Sequence, residues 1–297
     1  MILLINSNEV LKKLSVGIRE KFLKLLGWFK SIGGPVIVAF SGGVDSSVVL
    51  VAALLALGKD GVIAVTGRSP IYPVEDLMWA ERIARILNIT HIYVENAVID
   101  DPNFILNPPN RCYFCKKSFA RELCKIAERF NAKVIVDGTN ASDISTHRPG
   151  FLALIEANIR SPLVEVGITK DEAREIAKAL NLPNWDRPSM ACLATRIPYG
   201  EYITIEKLKR IEKAEEIVKI LAGVKLVRVR DHGYIARIEV GRDERKKFFN
   251  EDIMNKVAEE LQKLGYKYVT LDLHGYRSGS LDELLPKKIV PRELSIT

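Results

Sequence analysis

The sequence predicts an α/β protein: a doubly wound parallel sheet with a smaller α+β C-terminal domain. Three observations lead there. Short apolar runs rich in β-branched residues alternate with helical segments through the first part of the 297-residue chain, the signature of a parallel sheet covered on both faces. The first of these runs passes into a glycine-bearing loop and then an apolar helix. Past residue 203 the pattern changes to helix, two alternating strands, helix and strand, which fits a separate small unit.

Taken in order, Leu11, Leu14, Ile18, Phe22, Leu25 and Trp28 fall at helical spacing and predict a helix over 9–31, stopped by Gly33-Gly34-Pro35. Residues 36–40 form the first buried strand, 46–57 the apolar helix, 61–66 a second strand, 74–87 a helix and 89–95 a third strand. A helix at 116–130 and a fourth strand at 134–137 follow a proline-rich stretch, and 159–163 reads as a fifth strand. Thr169 with Glu172 is the capping box of the next helix. The stretch 181–202, with Pro183, Pro188 and Pro198, reads as loop. Beyond it, 204–221 is a charged helix, 225–230 and 234–240 are strands joined at Asp231-His232-Gly233, 244–264 is a helix and 266–273 a last strand. The boundary falls in 190–203, giving domains at 1–195 and 196–297.

Composition narrows the function classes. Hydrophobic residues make up 47% and charged residues 27%, ordinary for a globular chain with a filled core. A net charge of +7 favours an anionic ligand, but there is no dense basic stripe of the kind that nucleic acid requires. No apolar run reaches the length of a membrane span, and the N-terminus lacks the pattern of a signal peptide, so a cytoplasmic protein is expected. In that compartment four cysteines point to metal binding or catalysis rather than disulfides.

The loop Ser41-Gly42-Gly43-Val44-Asp45-Ser46-Ser47 has the physics of an anion site. Two glycines let the backbone curl and present successive N–H groups, and the helix that follows adds its positive end. Ser41, Ser46 and Ser47 can donate hydroxyl hydrogen bonds. Asp45 would repel bare phosphate, so its expected partner is a Mg²⁺ ion bridging it to pyrophosphate. The string lacks the Walker lysine. It closely resembles the loop of the PP-loop ATP pyrophosphatases, which cleave ATP between the α- and β-phosphates. Asp137-Gly138-Thr139-Asn140, at the end of the fourth strand, falls where ligands sit in an open parallel sheet. Arg68, just past the second strand, is read either as a contact to nucleotide or substrate or as a solvated loop arginine.

Cys112 and Cys115 form a C-x-x-C at a helix start beside Arg111 and Lys116, and Cys192 lies far along the chain. A zinc site would need a fourth ligand from Cys124 or a histidine. A dithiol pair would leave Cys192 unexplained. A [4Fe–4S] cluster on three cysteines would leave one iron open for sulfide. Spacing does not separate cluster from zinc. Cys124 continues the apolar pattern Phe119, Leu123, Ile126 and reads as core.

The strings Arg111-Cys112-Tyr113-Phe114-Cys115-Lys116, Asp137-Gly138-Thr139-Asn140, Arg148-Pro149-Gly150, Arg160-Ser161-Pro162-Leu163, the run 191–200 from Ala191-Cys192-Leu193 to Pro198-Tyr199-Gly200, and the run 275–280 from Gly275-Tyr276-Arg277, together with the glycine loop, resemble the LarE family. These are ATP-dependent sacrificial sulfur transferases of nickel-pincer cofactor synthesis, with a PP-loop domain of the adenine nucleotide alpha hydrolase-like fold. The resemblance implies ATP and Mg²⁺ as cofactors and a pyridinium dicarboxylate mononucleotide as substrate, a small phosphorylated carboxylate that is adenylylated and then given sulfur. It implies ATP contacts from Ser41, Gly42, Gly43, Asp45, Ser46, Arg68, Gly138, Thr139 and Arg148. Cys192 and Asp45 take the catalytic roles. Cys112, Cys115 and Cys192 match the three-cysteine type, thought to hold a [4Fe–4S] cluster, so the label "sacrificial" need not apply. A higher homo-oligomer is also implied.

Arg228 and Arg230 alternate onto one face of a strand, with Glu239 on the next. Residue by residue, that face reads equally as a solvated hairpin. The resemblance raises the other reading, in which Arg228 and Arg230 grip the substrate phosphate and Glu216 and Glu239 line that site. Arg196 is read either as a contact to an anionic substrate or as an ion pair closing its loop. Rivals are a tRNA thiolation enzyme, an ammonia-using amide synthetase, which would not need three cysteines, and a non-catalytic ATP sensor.

Overall fold

Helices cover both faces of the first sheet, which is why its strands are apolar on both sides. The computed structural model describes residues 7–144, 149–188, 191–277 and 279–284. Contacts divide the chain into one unit of residues 1–98 with 112–190 and a second of 99–111 with 191–297. In the first, β1 (Val36–Ala39), β2 (Val62–Arg68), β3 (Thr90–Glu95) and β4 (Val134–Val136) are parallel in the order β3-β2-β1-β4. Val36, Val38, Val62 and Ala64 pack against the helices Val16–Ile32, Val44–Leu57 and Val74–Leu87. Ile37, Ile63, Val65 and Ile135 pack against Phe119 and Leu123 of the helix Arg111–Arg129. Strand order reverses beside β1, because β2 and β3 lie on one side of it and β4 on the other. That reversal opens a crevice at the carboxyl ends of β1 and β4.

Several elements differ from expectation. The helix over 9–31 is two, Ser7–Lys13 and Val16–Ile32, because Ser15 is extended (φ −59°, ψ 157°) and starts the second. Leu14 is buried on the near side of that break, so the apolar spacing runs on across it. The fifth strand reduces to one bridge from Arg160 to Val136, since Pro162 has no N–H for a ladder and opens the short helix Pro162–Glu165. The helix expected at 116–130 begins at Arg111, which places Cys112 and Cys115 in its first turns. The helix expected over 244–264 is a 3₁₀ segment, Arg242–Phe248, followed by Glu251–Lys263, whose first turn the Asn250 side chain caps by accepting from Ile253 N at 3.1 Å. The capping box at Thr169 and Glu172 forms as read. Among the described residues, no helix is long and apolar enough to cross a membrane.

The second unit holds β5 (Val227–His232) antiparallel to β6 (Ile235–Val240), and β7 (Tyr268–Leu271) parallel to β6. Val227, Val229, Ala236 and Ile238 pack with Ala214 and Val218 of the helix Ile205–Ala222 and with Val257 and Leu261 of Glu251–Lys263. Its core also holds charge. Asp231 is fully buried and accepts from Arg210 Nη2 at 2.6 Å, from Tyr266 Oη at 3.0 Å and from Gly233 N at 3.0 Å. Arg210→Met would leave that carboxylate without its cation. The expected loss is roughly 3 kcal/mol, read as faster amide hydrogen exchange across 227–240.

Candidate active site

The loop after β1 occupies the switch-point crevice, and close packing fixes its course. Gly42 has φ +73°, and a Cβ there would stand 2.6 Å from Ala80 N and 2.9 Å from Asp76 O of the helix Val74–Leu87. Only glycine fits both that conformation and that gap. Gly138, just past β4, is equally tight: its Cβ would lie 2.7 Å from Ser46 N. The loops leaving β1 and β4 therefore meet backbone to backbone.

Within the loop, Ser41 Oγ and Ser46 Oγ are 3.1 Å apart, and Gly43 N donates to Ser41 Oγ at 3.3 Å. Ser46 and Ser47 hydroxyls both donate to Gly43 O, at 3.2 and 2.7 Å. Asn184, fully buried in the stretch read from sequence as loop, donates to Gly42 O and Ser47 Oγ, each at 3.0 Å. Arg187 binds Asp76 at 2.7 Å. Sequence reasoning missed Asn184; its one visible signal was an amide among prolines in an otherwise plain loop.

Asp45 lies in the first turn of Val44–Leu57, and its Oδ1 is buried without a hydrogen bond. Burial raises its pKa from 3.8 to about 6; Asp143 adds to the rise, while Lys170, Arg174 and Asn140 oppose it. Asn140 is fully buried, and its Nδ2 lies near enough to favour the ionised Asp45 carboxylate but makes no hydrogen bond of ordinary geometry. Asp137 accepts from Ser161 Oγ at 2.6 Å, from Thr139 N at 3.2 Å and from the Thr139 hydroxyl, so it shapes the β4 loop. Arg68 is exposed at the end of β2, its guanidinium 3.8 Å from the centre of the Tyr93 ring. Arg148 and His147 lie outside the described residues.

Cys112 is exposed and Cys115 half-buried, one turn apart on the same helix. Tyr72 Oη and Asn96 Nδ2 lie 3.6 and 3.7 Å from Cys115 Sγ. Cys124 follows Cys115 by two and a half turns, which puts it on the opposite side of the helix, against the core under β1 and β4. Among the described residues, no three His, Cys, Asp or Glu side chains gather as a ready metal site.

In the second unit Cys192 stands just before the 3₁₀ turn Leu193–Arg196. Arg196, with no exposed surface, binds both oxygens of Glu215 at 2.8 and 3.0 Å and grips the carbonyls of Ala191 and Cys192 at 2.6 and 2.9 Å. It closes the loop that carries Cys192. Arg230 donates to Thr195 O at 2.7 Å, Glu239 at 2.7 Å and Ser280 Oγ at 3.0 Å. Arg228 is buried over Tyr276; burial and the neighbouring Arg196 lower its pKa to about 10. Glu239 belongs to this group, but Glu216 does not: it faces outward from its helix, paired with Lys213 at 2.8 Å. The carboxylate that joins the arginines is Glu215, which also accepts from Val229 N at 3.1 Å. Side by side on a helix, Glu215 and Glu216 point about 100° apart, and sequence did not say which faced in.

A glycine loop of this kind, at the switch point of a parallel sheet, marks a PP-loop enzyme that uses ATP. A profile of the thiamine biosynthesis protein (ThiI) family matches residues 31–220. The chain is 41% identical over 251 residues to an uncharacterized protein of Synechocystis sp., covering 84% of this chain and 93% of that one. It is 37% identical over 257 residues to the pyridinium-3,5-bisthiocarboxylic acid mononucleotide synthase of Lactiplantibacillus plantarum, covering 85% and 90%. A third relative, an uncharacterized protein of Methanocaldococcus jannaschii, is 36% identical over 244 residues, covering 82% and 91%. The chain belongs to the ThiI family of PP-loop proteins and to the LarE family, which makes it an ATP-dependent sulfurtransferase.

Two outcomes test this geometry. Because the folded Asp45 value lies above 3.8, ionising it costs stability as pH rises from about 4 to 6, and the full cost persists at pH 7. Asp45→Asn should therefore stabilise the ligand-free protein at pH 7, on the order of 2 kcal/mol in denaturant titrations, and lose that advantage below pH 4. Gly138→Ala should weaken ATP binding by roughly tenfold or more in calorimetry, because its methyl meets backbone that cannot move without shifting the loop.

Proposed function

We propose that this chain activates a carboxylate of pyridinium-3,5-biscarboxylate mononucleotide, or a close analogue, with ATP and replaces a carboxylate oxygen by sulfur. The observation that carries the reading is the 37% identity to the Lactiplantibacillus plantarum synthase over 90% of that enzyme. In this reading residues 1–195 handle ATP and 196–297 bind the substrate.

The amides and hydroxyls of Ser41, Gly42, Gly43 and Ser46 donate to the phosphates, bordered by Gly138 and Thr139, with Arg68 and Arg148 as counter-charges. Asp45 would hold Mg²⁺, which would supply neutralising charge to the pyrophosphate; its buried, unpartnered Oδ1 suits that role. An oxygen of the substrate carboxylate attacks the α-phosphorus. The bond from that phosphorus to the bridging oxygen breaks, and pyrophosphate leaves into the loop. A sulfur nucleophile then adds to the carbonyl carbon of the acyl adenylate, and AMP departs with the electrons of the C–O bond. The product is a thiocarboxylate.

Arg228 and Arg230 take the substrate phosphate, with Glu239 beside them. An anion there would relieve the strain on Arg228, whose charge is disfavoured by burial and by Arg196. Arg196 acts on Cys192 by holding its carbonyl. Cys112, Cys115 and Cys192 would be the thiolates that hold a [4Fe–4S] cluster, which would supply the transferable sulfide. Cys112 and Cys115 lie one turn apart on one side of their helix, while Cys124, a candidate fourth zinc ligand, is partly buried against the core on the other side, which favours a three-thiol set over zinc.

Protein purified without oxygen should be brown and contain about four irons and four acid-labile sulfides per chain. A colourless zinc protein overturns the cluster. Pyrophosphate should be released from ATP with the pyridinium mononucleotide; release with tRNA alone overturns the substrate.

A further inference from the structure

A chain of hydrogen bonds beneath the ATP loop serves none of the contacts described so far. Phe40, the residue between β1 and Ser41, is 1% exposed, and its N–H donates to Val65 O at 2.8 Å as a last ladder bond. Its carbonyl accepts from the Thr66 hydroxyl at 2.6 Å. Thr66, on β2, is 3% exposed, and its Oγ1 lies 2.8 Å from His91 Nε2 on β3. A hydroxyl has one hydrogen, and here it goes to Phe40 O. The bond to His91 must therefore run from a protonated Nε2 to Oγ1. Burial pushes the His91 pKa down to about 4, so near neutral pH the ring carries a single N–H, and the hydrogen bond assigns it to Nε2. Rings on two sides limit its rotation: Phe40 edge-on at 6.0 Å and Tyr93 at 4.5 Å.

We propose that His91 and Thr66 are positioning residues for the ATP loop: the relay from His91 Nε2–H to Thr66 Oγ1–H to the Phe40 carbonyl fixes the peptide from which Ser41 departs. In a parallel sheet a chain leaving the ladder loses its backbone partners, and a buried carbonyl at the exit needs another donor. Thr66 supplies it, and His91 sets the direction of the Thr66 hydroxyl. A tilt of that peptide would move the loop's amides off the phosphates, so the effect falls on ATP binding. The inference rests on residues 41–47 holding ATP; it does not depend on what the cysteines carry.

Steady-state pyrophosphate release and ATP calorimetry test it. Thr66→Val strands the Phe40 carbonyl and should raise the KM for ATP roughly five- to tenfold, with kcat within about twofold. Thr66→Ser should restore the wild-type KM. His91→Gln, whose amide can place an N–H near the site of Nε2–H, should lie closer to wild type than His91→Phe. A folded Thr66→Val protein with unchanged KM overturns the proposal. Independently of ATP, long-range ¹H–¹⁵N spectra of the wild type, with His91 assigned by its loss in His91→Gln, should show the Nε2–H tautomer. The Nδ1–H tautomer overturns the relay even if Thr66→Val fails to fold. Absence of ATP binding by the wild type would instead refute the loop's assignment, and the tautomer would still decide the relay.

Discussion

The site depends on one close approach, where Gly138 meets the backbone of Ser46 with no room for a methyl between them. β4 joins the sheet on the far side of β1 from β2, and nothing in that topology alone forces its exit loop against the helix Val44–Leu57. The missing side chain allows it. Once the two loops touch, Asp45 is buried, and its neighbours Asn140 and Asp143 come from the β4 side. A site assembled from two loops on different strands is fixed by the sheet, so its geometry is as rigid as the core under it.

The apolar strands were legible because a sheet covered on both faces leaves no polar alternation to confuse the reading, and β1 to β4 fall within two residues of expectation. The glycine loop was legible because its chemistry is local. What sequence hid was of two kinds. Proline decided against a fifth strand at Pro162, where local composition looked extended. Long-range partners were invisible: Asn184 reaches the loop across 137 residues to Ser47, and no pattern near Asn184 announces it. The choice of Glu215 over Glu216 depended on helix phase, which a charged helix with a weak apolar stripe specifies poorly.

The second unit shows a different economy. Arg196, Arg228, Arg230, Glu215, Asp231 and Glu239 are all buried there. Replacing such a network with hydrocarbon is often harmless or stabilising, so stability alone does not account for it. Its geometry accounts for it better. The carbonyl of Cys192 is gripped by Arg196, that of Thr195 by Arg230, and Glu215 ties Arg196 to β5 through Val229 N. Buried charge here acts as an alignment device that ties the cysteine loop to a strand.

The segment 99–111 belongs to the second unit although it is made long before the rest. Asn107, fully buried, donates to the carbonyls of Ile197 and Pro198, ninety and ninety-one residues later, and its own carbonyl accepts from Gly200 N. During synthesis this segment must wait, unsatisfied, until the chain reaches residue 200. The C-terminal stretch therefore lacks one of its own parts. A gene cut near residue 190 would yield a fragment missing the hydrogen-bond partners of Ile197, Pro198 and Gly200, and exchange of whole halves between relatives would have to carry residues 99–111 along.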